Sequence, residues 1–168
     1  PFSIGICKKC KNVQTMEVVN DKNLWENYTY FSSQTKAISN HFKEVSKYII
    51  KQTKLDKNHL VIDIGSNDGT LLKNFKNSGI KVLGVDPAEN VVKYANSIGI
   101  NTMVGKFDKS IGKRILKKNY KAKLVTAFNV FAHTSKLREM IKTIDNVLDE
   151  KGFFVFEVQY LGDILDKK

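Results

Sequence analysis

The chain has 168 residues, 42% of them hydrophobic and 27% charged, with two prolines and ten glycines. That balance excludes disordered and fibrous classes, and the length fits one ordinary domain with a short extra segment. The formal charge of +11 is carried almost wholly by lysine, since arginine occurs only at Arg114 and Arg138, and its scatter reads as compositional bias rather than a nucleic-acid face.

No apolar run is long enough to cross a bilayer, and no signal core leads the chain, so the expectation is a cytoplasmic protein with no membrane partner. In chain order, the first feature is Cys7-x-x-Cys10. A redox pair of that spacing belongs at the head of a helix, whereas Asn12 to Thr15 reads as a turn and then a strand. Half of a zinc knuckle fits better, yet tetrahedral zinc wants four ligands. Zinc held by Cys7 and Cys10, and two inert thiols, both stay open.

Residues 24–33 carry Trp25, Tyr28, Tyr30, Phe31, Ser32 and Ser33 without periodicity and read as a loop or lid. From Gln34 to Lys51 a stripe of Ala37, Ile38, Phe42, Val45, Tyr48 and Ile49 predicts a helix. Strands are then expected over 59–64, 80–86, 100–104, 122–128 and 152–158. Helices fall between them: 70–77, one opened by Pro87 and ended by Gly99, one near 110–117, and one capped by Thr134 or Ser135 and stopped by Lys151-Gly152. The last few residues could start another helix.

Single helices between strands require crossovers, so the fold class is α/β: a Rossmann-like, doubly wound, mostly parallel sheet with helices on both faces. Residues 1–33 are expected to be a zinc-knuckle remnant and aromatic lid, and 34–168 the core. Ligands of such folds bind beyond the carboxyl ends of the strands.

The first core strand ends in Asp63-Ile64-Gly65-Ser66-Asn67-Asp68-Gly69-Thr70, a tight turn that brings main-chain N–H groups to a ligand. The dinucleotide fingerprint fails at Asn67 and Thr70. The S-adenosylmethionine form, acid-x-Gly-x-Gly-x-Gly, matches at Asp63, Gly65 and Gly69, with Asn67 at the middle glycine, a residue that tolerates left-handed backbone. Asp63 or Asp68 can accept from the cofactor's amino group. Asp86, followed by Pro87, stands about 20 residues further on, where an acid accepts ribose hydroxyls. Phe107 falls where adenine would stack; a core phenylalanine is the alternative.

Asn129-Val130-Phe131-Ala132-His133 should face the transferred methyl, with Asn129 beside the cofactor. It lacks the Asn-Pro-Pro-aromatic signature of nucleic-acid amino methylation. His133 could act as general base or hold a substrate oxygen, or it could be a cap.

Taken together, Tyr28-x-Tyr30-x-Ser32-Ser33, Gly65-Ser66-Asn67-Asp68-Gly69-Thr70-Leu71-Leu72, Gly84-Val85-Asp86-Pro87-Ala88, Asn129-Val130-Phe131-Ala132-His133 and Glu157-Val158-x-Tyr160-Leu161 resemble the deoxysugar C-methyltransferases. The resemblance implies a class I methyltransferase core, S-adenosylmethionine as cofactor, and a small-molecule substrate, a nucleotide-linked 4-keto sugar methylated on carbon through an enolate. It also implies an N-terminal zinc domain of which Cys7 and Cys10 would be the second pair. By the same resemblance Tyr28, Tyr30 and Ser33 close over the cofactor, and His133, Tyr28 and Tyr30 lie at the catalytic centre. Two departures stand out: the first cysteine pair is absent, and the family's His-Glu-His segment would lie beyond Lys168. The chain therefore resembles a fragment. A basic nucleic-acid methyltransferase and a non-catalytic cofactor-binding piece are the alternatives.

Overall fold

Alternation of β-branched strands with amphipathic helices produces one five-stranded parallel sheet. The structure, a computed structural model, describes residues 3–17, 25, 28–118 and 121–166. Leading the chain is an antiparallel hairpin of β1 (Ile4–Ile6) and β2 (Val13–Thr15), with Ile4 paired to Thr15. Cys7 and Cys10 lie in its turn, both exposed.

Helix α1 (Lys36–Thr53) precedes the sheet. The core follows as β3 (Leu60–Ile64), α2 (Thr70–Asn77), β4 (Lys81–Asp86), α3 (Glu89–Ser97), β5 (Thr102–Val104), α4 (Lys109–Leu116), β6 (Ala122–Phe128), α5 (Leu137–Val147), β7 (Leu148–Glu157) and α6 (Leu161–Asp166). The spatial order is β5-β4-β3-β6-β7. The chain winds outward from β3 to β5, then crosses to the other side of β3, so the switch point lies between β3 and β6.

Two apolar cores cover the sheet. Ile62, Ile64, Val125 and Ala127 meet Ile111 and Ile115 of α4 and Met140, Ile144 and Val147 of α5. Val61 and Leu124, pointing the other way by strand alternation, meet Ile49 of α1, Leu71, Leu72 and Phe75 of α2, and Ala95 of α3. Burying such aliphatic and aromatic side chains is worth about 1.5–3 kcal/mol each, and Leu72 and Phe75 are fully enclosed.

Several expected boundaries move. Tyr48 leaves the α1 stripe and is 64% exposed, because 100° per residue carries it off the Ile38–Phe42–Val45–Ile49 line. Pro87 does not open a helical turn: α3 begins at Glu89 with Ala88 as its cap. Neither Thr134 nor Ser135 caps α5, whose cap position is Lys136; the Thr134 hydroxyl instead accepts from the Lys136 N–H at 3.2 Å. Strand β7 begins at Leu148, before Gly152, and its pairing shifts: Ala122 aligns with Leu148 but Leu124 with Phe153. Part of the expected lid, residues 24, 26 and 27, lies outside the described residues. Among the described residues no helix is long and apolar enough to cross a membrane.

Candidate functional site

Parallel strands put every β-to-α loop on one edge of the sheet, and there a cavity of about 500 Å³ opens. That volume suits a small molecule of cofactor size. Beyond β3 the backbone turns sharply at Gly65, with φ 67°. A Cβ there would stand 2.7 Å from Val130 Cγ2, so glycine is required both for the angle and for the contact with the loop after β6. The Gly65 and Ser66 N–H groups donate to the Val85 carbonyl at 2.8 and 3.2 Å, binding the turn to the end of β4. Gly69, at φ 80°, occupies the cap position of α2.

Asp86 ends β4 and is 5% exposed. Its Oδ2 accepts from the Asn67 N–H at 2.8 Å and its Oδ1 from the Ala88 N–H at 2.9 Å. Each oxygen retains a lone pair for a ligand hydroxyl. Burial pushes its carboxyl above the ordinary range, against the pull of the two N–H groups, and the nearby Asp68 adds to the rise. Asp63 is buried more deeply, at 3% exposure. Burial pushes it up to about 7, and the Thr126 hydroxyl, donating at 2.6 Å, opposes that only in part.

Tyr28, Tyr30, Asp63, Gly65, Asn67, Asp86, Pro87, Phe107, Asn129 and His133 all line the cavity. Tyr28 has its phenol raised by burial and by the Asp86 charge, which keeps the O–H protonated as a donor. His133 is exposed at the end of a 3-10 turn, Phe131–His133, its N–H donating to the Val130 carbonyl at 2.9 Å. Asn129 takes a left-handed angle, φ 57°, and its N–H donates to the Glu157 carbonyl. Phe107 does two things at once: it borders the cavity and, at 5% exposure, packs into the core beside Ile111.

Ser33, Asp68 and Gly69 do not reach the cavity wall. Fully buried Asp68 accepts from the Thr70 N–H and hydroxyl through Oδ1 and from the Ser33 N–H through Oδ2. Its valences serve the fold.

Four participants escaped sequence reasoning as site residues. Trp25 lines the cavity with a buried indole N–H that has no partner among the described residues. Thr126 holds Asp63, and Asn90 donates to the Tyr28 carbonyl at 2.7 Å. Ser66, 4% exposed, has an unpartnered Oγ. Trp25 left a signal, as an aromatic in an aperiodic stretch, and Ser66 lies within the glycine turn itself; Thr126 and Asn90 are polar residues whose partners are remote in sequence.

Cys7 and Cys10 stand apart. N–H groups of Cys10 and Lys9 draw the Cys7 thiol below its usual value, which suits a thiolate ligand. Among the described residues, however, no group of three or more His, Cys, Asp or Glu side chains gathers. Two donors of the four that tetrahedral zinc needs do not fit that metal, and the expected zinc is not supported.

A methyltransferase-domain family model matches residues 37–167. The chain belongs to that family. The C-methyltransferase NovU of Streptomyces niveus is 30% identical over 165 residues, which are 98% of this chain but 39% of NovU. An uncharacterized methyltransferase of Schizosaccharomyces pombe is 25% identical over 124 residues and is covered to 48%. This methyltransferase chain thus spans less than half the length of the curated relatives it matches. Its fold is shared by the PH0226 protein of Pyrococcus horikoshii, with TM-score 0.64 at 18% identity over 83% of this chain and 62% of that one. An S-adenosylmethionine-dependent methyltransferase of Clostridium acetobutylicum has TM-score 0.57 at 21% identity, over 73% of this chain and 52% of that one.

Proposed function

We propose that the chain is the S-adenosylmethionine-binding core of an enzyme that methylates carbon in a nucleotide-linked keto-deoxysugar. The observation that carries the reading is the shared cavity: Gly65 and Asp86 line it together with residues of the loop 129–136 and the aromatic residues Trp25, Tyr28 and Tyr30.

The donor set fits the cofactor. Asp86 has two ordered oxygens for a ribose diol, and at Gly65, which borders the cavity, no side chain stands between the backbone and a ligand. Phe107 offers a ring and Asp108 an acid near the same wall. When bound, the cofactor supplies an electrophilic methyl group. Lys106 and Lys136 also border the cavity, the latter 4.0 Å from Glu139, and ammonium groups at the rim suit an anionic nucleotide diphosphate.

For carbon methylation, a proton must leave the carbon beside the keto group, a C–C bond forms to the methyl, and the S–CH3 bond breaks to give a neutral thioether. In this reading His133, which lines the cavity, takes that proton or holds the keto oxygen, while the Tyr28 phenol, kept protonated, donates to the developing enolate oxygen. The similarity to a protein named C-methyltransferase supports carbon as the acceptor.

The test is incubation of the chain with methyl-labelled S-adenosylmethionine and a nucleotide-linked 4-keto-deoxysugar. Label in a C–CH3 group of the sugar is expected. Label on oxygen, nitrogen or nucleic acid, or none when both ligands bind, overturns the carbon-methylating reading.

A further inference from the structure

Glu157 ends β7 at the ligand-binding edge of the sheet, half-buried and outside the cavity lining. In the parallel pairing of β6 with β7, Phe128 aligns with Glu157. Both side chains therefore project from the face that α1 covers, where Phe128 meets Phe42 of α1 at 5.9 Å between ring centroids. Glu157 Oε2 lies 2.6 Å from His41 Nε2, also on α1. A carboxylate only accepts, so the imidazole donates here. One carboxylate oxygen is thereby engaged, and the other faces a different partner.

That partner is Asn129, the residue directly after β6. Continued strand alternation would turn its side chain to the opposite face of the sheet. The left-handed φ of 57° ends the alternation instead. Asn129 Nδ2 then donates to Glu157 Oε1 at 3.5 Å, while the Asn129 main-chain N–H donates to the Glu157 carbonyl at 2.8 Å. Toward a carboxylate a carboxamide can turn only its NH2 group. Among the described residues nothing engages Asn129 Oδ1. Since Asn129 lines the cavity, the side-chain group it has left for a ligand is an acceptor.

We propose that Glu157 is a positioning residue that sets the Asn129 carboxamide so that its oxygen, and not its NH2 group, serves the cavity, which favours a ligand bearing positive charge there. That the charge is a sulfonium rests on the function proposed above; the setting of the carboxamide does not. Turning the amide around would reverse the local dipole at constant shape.

Glu157→Gln keeps the size of the side chain but can donate as well as accept, so it holds Asn129 either way round. In the double variant E157Q/N129D the roles are exchanged: the amide introduced at 157 donates, and the carboxylate introduced at 129 returns an oxygen to the cavity. Calorimetric affinities for S-adenosylmethionine, a cation at sulfur, and for S-adenosylhomocysteine, neutral there, read the effect as a ratio. The ratio favouring the sulfonium is expected to fall about 2- to 10-fold in E157Q, the worth of one hydrogen bond, and to recover in the double variant. An unchanged ratio, or an equal loss for both ligands without recovery, overturns the proposal, because Glu157 would then serve only the fold. In the ligand-free chain the Asn129 side-chain amide signals, identified by their loss in N129D, should show two proton shifts spread apart by the carboxylate and drawn together in E157Q. If the wild-type chain binds neither ligand, the cofactor reading fails, and these signals still decide: a spread that narrows in E157Q sustains the setting of Asn129, and one that does not overturns it.

Discussion

Asp63 sits beneath the cofactor loop as a carboxyl that water hardly reaches, with its folded-state value near 7. An unfolded aspartate titrates near ~3.9. Between those two values the native state holds the proton and the unfolded chain has lost it, so stability falls as pH rises from about 4 to about 7. Asp86, shifted the same way by burial, adds to that slope. Asp63→Asn keeps an acceptor for the Thr126 hydroxyl and removes the titration. Thermal melts should find the variant close to wild type near pH 3, below both values, and increasingly more stable as pH rises to 8, the gap widening by on the order of 1–3 kcal/mol between pH 5 and pH 8; a gap that does not change with pH would mean that Asp63 is charged at pH 8 without cost. The contrast with Asp68 is instructive. From sequence alone, Asp63 and Asp68 were interchangeable acceptors for a cofactor amine, because both flank the glycine turn. The fold separates them, with Asp63 at the cavity and Asp68 committed to Thr70 and Ser33.

At the scale of elements, legibility tracked how local the determining force is. The β3–α2–β4 run was readable to within a residue because alternation, the glycine turn and the Ser78-Gly79 stop all act over a few positions. The start of α5 was not, since Thr134 and Ser135 have cap-forming side chains yet precede Lys136, where the helix takes hold. The early start of β7 depends on its shifted pairing with β6, a long-range fact invisible to periodicity. Helix α4 allows a direct test of a local force, as Asp108 Oδ1 accepts from the Ile111 N–H at 3.0 Å. Asp108→Ala should cost about 1 kcal/mol and Asp108→Asn a few tenths at most, measured by urea unfolding. Equal losses would assign Asp108 a charge-dependent role at the cavity it borders rather than a capping role.

Across the whole molecule, residues distant in sequence converge because the sheet is parallel. Trp25, Asp86 and His133 come from the segment before the sheet, the end of β4 and the loop after β6, yet they line one cavity. The fold class, the loop and the acid were therefore legible, while the hydrogen bonds that fasten residues 28–33 to the loop after β3 and to α3 were not, since each joins residues 35 or more apart. The central claim is that the Gly65 turn and Asp86 together recognise a sulfonium nucleoside. Calorimetric titration of the chain with S-adenosylhomocysteine, beside Asp86→Asn with its fold checked by circular dichroism, tests it most directly. One-site binding is expected, weakened by about 10–100-fold in the variant, the worth of hydrogen bonds to a charged group at about 1.5–3 kcal/mol. No binding by the folded wild-type chain, or equal affinity in the variant, would contradict it.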